Sequence, residues 1–486
     1  MNRVAVINVV GLTDSLIGDH TPRIAAFRKR GSLAVISPAF PAVTCTAQSN
    51  YLTGKLPAEH GIVGNGWYNR EFAEVQFWKQ SNHLVHGPKI WDWLRDSRSR
   101  HGAPPVTVAN CFWWFNMYSS VDYSLTPRPI YRADGGKIFD IYTWPYSIRT
   151  EIKKELGEFP FFGFWGPAAG IKTPQGAADC ATRWIAESAK WVETKYAPTL
   201  NLIYLPHLDY NLQRHGVRVR VPASNGEISG ESLLPQIIQD LHAIDDIVGD
   251  LIQFLEGRGV RVVLLSEYGI TDVDTPIHLN RVFRERGWVT VKDEVGLEIL
   301  DAGASRVFAV ADHQVAHVYV NDRTLENSVR AVLETTPGVE RVLDNGEKAV
   351  AGVAHARAGD FIAVASENAW FTYYYWQKEA CAPDFARTVD IHRKPGYDPA
   401  ELFLDPQLSS PKLKIMTRLL QKKLGFRMLM DVIPLDAGLV RGSHGRRPSD
   451  QKHWPVMIID RPDILDVPTI DSTTVYNVMQ VLLGQG

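Results

Sequence analysis

The chain opens on Val4-Ala5-Val6-Ile7-Asn8-Val9-Val10, a β-branched, almost unbroken apolar run of strand length. Continuous apolarity of this kind suits a parallel strand covered on both faces. Gly11 and Thr13-Asp14 end it, and no small-residue cleavage signal follows, so it reads as a buried strand and not as a leader. Thr21-Pro22 then opens a short amphipathic helix bearing Ile24, Ala25 and Phe27 and stopping at Gly31. Its proline falls in the first turn, where a missing N–H costs nothing. Residues 33–36 form a second strand, Ser37-Pro38-Ala39-Phe40-Pro41 a proline turn, and Thr44 stands where a helix running to Gly54 begins.

The same rhythm returns later. Residues 202–205 are an apolar strand, and the polar stretch from 206 to about 230 reads as a loop. Residues 233–255 carry Ile237, Leu241, Ile244, Val248, Leu251 and Leu255 at helical spacing, with a stop at Gly257-Arg258-Gly259. Residues 260–265 form another strand, which ends in Ser266-Glu267-Tyr268-Gly269. Strand, crossover helix and strand in this order predict an α/β fold with a doubly wound, mainly parallel sheet. Ligands of such sheets bind beyond the carboxyl ends of the strands. Thr44, Asp209 and Glu267 all fall just past a predicted strand end, which places the candidate site there.

Residues 300–404 have a different texture. Short strands near 308–310, 317–320, 339–342, 361–365 and 370–376, with a helix near 325–333, predict a smaller α+β cap. The cap is inserted into a core built from residues 1–299 and 405–486. A Trp/Tyr-rich stretch from Trp67 to Tyr146 is a second elaboration near the site.

Composition narrows the function. Hydrophobic residues make up 45% and charged residues 22% of 486, the proportions of a globular protein. Lys+Arg at 52 against Asp+Glu at 54 leaves no electrostatic footprint for a nucleic-acid polymer. Cys45, Cys111, Cys180 and Cys381 lie far apart without a CxxC pair, so they read as reduced, packed thiols. No stretch reaches the roughly 18 apolar residues of a membrane span. No membrane partner and a cytoplasmic location are therefore expected.

Phe40-Pro41-Ala42-Val43-Thr44, Leu52-Thr53-Gly54, Pro57, His60-Gly61-Ile62-Val63 and Asn65, in that order, resemble the type I phosphodiesterase/nucleotide pyrophosphatase family of the alkaline phosphatase superfamily. The resemblance continues, more weakly, through Asp209, Ser266-Glu267-Tyr268-Gly269 and Gly442-Ser443-His444-Gly445. It implies an alkaline phosphatase-like fold, Thr44 as nucleophile, Asn65 as phosphate-binding amide and two zinc ions. The physical basis is sound. A threonine hydroxyl is a weak nucleophile until its proton is removed or a metal holds the oxygen. A helix N-terminus and an amide beside it neutralise phosphoryl charge.

The departures carry equal weight. Val10-Gly11 stands where the family has Asp-Gly, Gln213 where Asp-x-x-x-His ends, and Glu267-Tyr268-Gly269 where Asp-His-Gly is usual. By the resemblance one metal falls to Asp209, Gln213 and His444, and the other to Val10, Thr44, Glu267 and Tyr268, which is nearly stripped. One well-held divalent ion (zinc, manganese or magnesium) is therefore expected in place of the family's zinc pair. Tyr268 and Glu267 are instead candidates for direct contact with Thr44 or with the phosphoryl group.

Plainer roles stand beside these. Thr44 is also a helix cap, Asn65 a turn residue in Gly64-Asn65-Gly66, Glu267 a helix cap, and Asp209 and His444 structural hydrogen-bonders. Cys45 is a lesser candidate nucleophile. His60, His207, His215, His313 and His317 are further candidates: His60 supports a turn, His317 is a core histidine, and His215 could replace the imidazole missing at 213. Asp390-Ile391-His392-Arg393-Lys394-Pro395-Gly396-Tyr397 reads as a solvated turn, with the alternative that His392, Arg393 or Lys394 faces a substrate phosphate. Phe112-Trp113-Trp114-Phe115 and the run from Trp370 to Trp376 read as core, or as pocket walls. The sequence thus points to a hydrolase of a phosphate ester, diester or pyrophosphate bond in a small phosphorylated molecule, through Thr44 and a divalent metal. The alternative is a phosphate-binding protein that has lost its metal pair.

Overall fold

The computed structural model describes residues 2–100, 105–133, 136–222 and 228–484. Its centre is a nine-stranded sheet. Arg3–Val9 lies in the middle, parallel to Leu200–Leu205 on one side and to Val260–Leu265 on the other. Beyond Leu200–Leu205 come Val108–Cys111 and Tyr123–Pro127, both parallel, and an antiparallel edge, Ile141–Trp144. Beyond Val260–Leu265, Val456–Ile459 runs antiparallel to both its neighbours, followed by Ser32–Ser37 and Thr469–Asp471. The mainly parallel α/β sheet is thus present, and its central strands are buried throughout, as their apolar sequences require.

Two groups of helices flank the sheet. Pro22–Arg30, Cys180–Tyr196 and His207–His215 pack on Pro235–Glu256, while Thr44–Thr53 and Ile90–Arg100 pack on Thr474–Gly484. The expected loop after residue 205 is a correction. Outside residues 223–227, which lie beyond the described ones, His207–His215 is a helix and Arg218–Pro222 pairs with Ile228–Leu233 as a hairpin. The helix's His207, Asp209, Asn211, Gln213 and Arg214 are buried, not solvated. Asn211 donates to Asp240 and to Gly170 O, and the Arg214 guanidinium donates to the carbonyls of Leu402, Ala169 and Gly166.

A second, four-stranded antiparallel sheet orders Val307–Asp312, Val315–Val320, Phe361–Ala365 and Val339–Leu343. It has its own core, which takes in Trp370, Phe371 and Tyr373 to Trp376. That aromatic run is core and lines no part of the cavity described below. The two-residue turn His313-Gln314 of this sheet reaches His444, whose carbonyl accepts from Gln314 N at 2.8 Å.

Candidate active site

Three strands of the main sheet deliver their following residues to one place. Past Ser32–Ser37, the proline turn leads into the Thr44–Thr53 helix, every residue of which is buried. Past Leu200–Leu205, His207–His215 sets Asp209 in its first turn. Past Val260–Leu265 come Glu267 and Tyr268. His444 follows Gly442–Ser443, which pairs with Thr271–Asp272. Thr44, Asp209, Glu267, Tyr268 and His444 are all under a tenth exposed.

The contacts form a chain. The Thr44 hydroxyl lies 3.3 Å from the Tyr268 hydroxyl, which donates to Asp209 Oδ1 at 3.2 Å. Because that phenol spends its proton on the carboxylate, its oxygen is left to accept the Thr44 proton. Gln213 Nε2 donates to Asp209 Oδ2 at 2.8 Å, and the Tyr397 hydroxyl donates to Gln213 Oε1 at 2.8 Å. Burial pushes the Asp209 carboxyl up to about 7, against the pull of Gln213 and Tyr268. Glu267 accepts from the Asn8 and Gln48 amides on one oxygen, and burial pushes it up to about 8.

The resemblance implies metal ions, and these residues do not fit them. Val10 is aliphatic and fully buried. Tyr268 occupies the ground between the expected ligands, its ring stacked on His444 at 3.6 Å and its hydroxyl bonded to Asp209. Gln213 turns its NH2 group toward Asp209, a donor where a cation needs a lone pair, and commits its carbonyl oxygen to Tyr397. His444 Nδ1 donates to Ala42 O at 2.7 Å, leaving Nε2 as a single unpartnered lone pair. Among the described residues, no group of three or more His, Cys, Asp or Glu side chains could hold a metal ion. In this arrangement Asp209, Gln213 and His444, with Glu267 near, do not assemble into the expected ligand set.

Asn65 Oδ1 accepts from Cys45 N at 3.0 Å and its Nδ2 donates to Asp312 Oδ1 at 3.1 Å, which leaves the amide one N–H for a further acceptor. Asp312 further accepts from Asn65 N and from His313 Nδ1. Cys45 itself is buried, and its thiol is pushed up by that burial. His215 ends its helix exposed and replaces no ligand. His60 Nδ1 accepts from Ile62 N in the turn, as expected, and His317 is a buried histidine with Nε2 on Val63 O.

Thr44, Asp209 and Tyr268 open into a cavity of about 540 Å3. Sequence reasoning missed most of its wall, in which Trp78, Phe161, Phe164, Trp165, Tyr204 and Tyr397 join the expected Trp114. Arg128, Lys137, Arg393 and Lys422 line it too, against the acids Asp209 and Asp390. Of the further candidate histidines, His313 is the one that reaches this wall. It lies between the Tyr397 and His444 rings, 3.6 and 3.7 Å away, with φ at 63°. A non-glycine residue held there costs about 1–3 kcal/mol, a strain that clusters at functional sites. The solvated-turn reading of residues 390–397 is overturned. Lys394 is buried, 2.7 Å from both Asp398 and Glu401, while His392 and Arg393 face the cavity.

Known proteins place this geometry. The sequence pattern of a family described as Type I phosphodiesterase / nucleotide pyrophosphatase matches residues 4–398. An uncharacterized pyrophosphatase/phosphodiesterase of Schizosaccharomyces pombe is 23% identical over 304 residues, 59% of this chain and 50% of that protein. The chain thus spans about half the length of that curated relative. Murine ectonucleotide pyrophosphatase/phosphodiesterase 5, solved in an inactive form with AMP, superposes with a TM-score of 0.56 at 14% identity, over 100% of this chain and 95% of that one. Phosphonoacetate hydrolase from Sinorhizobium meliloti 1021, solved with phosphonoacetate, gives 0.58 at 13% identity, over 99% and 96%. These two solved structures share the fold.

Proposed function

The chain belongs to the type I phosphodiesterase/nucleotide pyrophosphatase family, and from that premise we propose that it hydrolyses a phosphate ester or diester with Thr44 as nucleophile and Tyr268 and Asp209 in place of a metal pair. The observation that carries this is the unbroken path from Thr44 Oγ1 through the Tyr268 hydroxyl to the Asp209 carboxylate. As Oγ1 bonds to phosphorus, its proton passes to the Tyr268 oxygen while the Tyr268 proton passes to Asp209. The ester oxygen departs as the bond to phosphorus breaks. Water then attacks the phospho-threonine: its oxygen bonds to phosphorus as the bond to Thr44 Oγ1 breaks, Asp209 returns its proton to Oγ1 by the same path, and the proton that water sheds goes through solvent to the departed ester oxygen. A positioned proton acceptor of this kind contributes about 10²–10⁴-fold.

The charge that develops on the phosphoryl oxygens meets the N-terminus of the Thr44–Thr53 helix and the cations lining the cavity. The aromatic wall suits a substrate with a ring or other apolar part, in keeping with the AMP held by the murine neighbour.

The loss of ligand chemistry at Val10, Gln213 and Tyr268 favours a second reading, a protein that binds a phosphorylated molecule without cleaving it. One assay separates the two. Purified chain is incubated with bis(p-nitrophenyl) phosphate and p-nitrophenyl phosphate, with EDTA or with added Mn²⁺, Mg²⁺ or Zn²⁺. Turnover that survives EDTA and vanishes in Thr44→Ala, with phosphate on Thr44 in quenched samples by mass spectrometry, supports the hydrolase. No turnover under any condition leaves the binding reading, and turnover unchanged in Thr44→Ala removes Thr44 from the chemistry.

A further inference from the structure

The helix Pro411–Lys423 and the segment after it invert the usual logic of a surface helix. None of the helix's residues is buried. Leu413, Met416 and Leu420 recur at three- and four-residue spacing on its solvent side, and Leu424 and Phe426 follow; all five are 55–66% exposed. Its inward side is lightly held, by Ile415 against the small core of Ala400, Val432 and Ile433, and by Lys414 and Arg418 on Asp431. Exposed apolar patches of this kind on a folded chain mark interaction surfaces.

The charge around the patch selects the partner. Residues 411–431 hold six basic side chains and one acidic, in a chain whose net charge is −2. Lys414 and Arg418 are spent on that acid, whereas Lys412, Lys422, Lys423 and Arg427 make no ion pair among the described residues. Two copies meeting through this face would set like charges together, which disfavours a self-complementary interface. A nucleic acid would leave the apolar stripe in water. An apolar stripe flanked by lysines fits an anionic lipid surface, with the leucines at the acyl boundary and the ammonium groups among the headgroups.

We propose that residues 411–430 dock the protein on an anionic membrane surface. No helix among the described residues is long and apolar enough to cross a membrane, so the segment lies on the bilayer and does not span it. The segment also borders the site, for Leu419, Lys422, Met428, Leu429 and Met430 line the cavity. The docked segment therefore sets this border of the cavity at the lipid. The expectation that no membrane takes part rests on the absence of a span, and a short amphipathic segment leaves no span-length signal in the sequence.

The test is cosedimentation of the full chain with vesicles of phosphatidylcholine alone, or of phosphatidylcholine with an equal part of phosphatidylglycerol. The chain pellets with the mixed vesicles only, and added salt releases it. Lys412→Glu with Lys423→Glu weakens binding at least tenfold, at about fivefold per lysine lost. A Leu413→Ser, Met416→Ser, Leu420→Ser, Leu424→Ser variant stays in the supernatant with its melting temperature kept, which separates docking from folding. Binding is read without turnover, so failure of the hydrolase reading leaves this result intact. Wild-type chain that ignores anionic vesicles overturns the proposal. So does a dimer in sedimentation velocity that the serine variant disperses, since the face then belongs to a second copy.

Discussion

Tyr268 and His444 lie face to face, ring centroids 3.6 Å apart and planes 7° from parallel. The same tyrosine carries the hydroxyl that joins Thr44 to Asp209. One side chain thus fills space and, in the proposed hydrolysis, conducts a proton, and two substitutions separate the tasks. Tyr268→Phe keeps the stack and lowers kcat by about a hundredfold or more, the share of a positioned acid–base group, with the melting temperature nearly unchanged. Tyr268→Ala loses both and melts earlier. A Tyr268→Phe enzyme of wild-type rate removes the hydroxyl from the mechanism.

Metal removal is the second check. With Tyr268 between the expected ligands and a Gln213 NH2 facing Asp209, dialysis against EDTA leaves turnover of bis(p-nitrophenyl) phosphate unchanged. A metal that bound the folded chain would stabilise it by about 2.7 kcal/mol at a hundredfold excess over Kd. Thermal scans with Zn²⁺ or Mn²⁺ are expected to superpose on scans without. A rise of several degrees, or activity restored only by one ion, overturns this.

How much of this was legible in sequence follows from the range of the signals. Thr44, Asp209 and Glu267 were readable because each sits one turn past an apolar strand, a local pattern that topology brings together. Tyr397 was not, and His313 stood only as one candidate histidine among several, since they reach Thr44's cavity from a distant loop and a different sheet, with no periodicity to mark them. The polar texture of residues 207–214 hid a buried helix because its amides and guanidinium are satisfied by carbonyls and by Asp240, far along the chain. Substitution of the expected ligands was visible, but what replaced them was a matter of packing. Only the folded chain brings the Tyr268 ring onto His444.

Lys394 gives a stability prediction. Its ammonium is buried between Asp398 and Glu401, and Glu401 also accepts from Trp165 Nε1 and from Asp390 N. Lys394→Met strands two acids away from water, which costs about 3–5 kcal/mol. Because Trp165 and Asp390 line the cavity, KM rises as well. Equilibrium denaturation reads the first effect and steady-state kinetics the second. A loss below about 1 kcal/mol, the range of an exposed pair, contradicts the burial.

Stability is expected to peak near neutrality, because two buried sets pull in opposite directions. Burial raises Asp312 to about 6, Asp209 to about 7 and Glu267 to about 8. The folded chain holds these protons where the unfolded chain has released them, so each carboxyl costs stability as pH rises from its unfolded value toward its folded one. Burial lowers His60 to about 3 and His317 and His278 to about 4, and takes His313 and His444 well below their ordinary value. Below about pH 6.5 the unfolded chain binds protons that these folded imidazoles refuse, and stability falls toward acid. Above that point the histidines are neutral in both states, and only Asp209 and Glu267 still act, so stability falls again toward pH 8. Melting temperatures across this range, at constant ionic strength, trace the curve. Glu267→Gln keeps the volume and removes one titration, which flattens the alkaline limb while leaving the acid limb in place. A melting temperature that climbs steadily to pH 8 places these carboxyls in water and ends the argument for a buried relay.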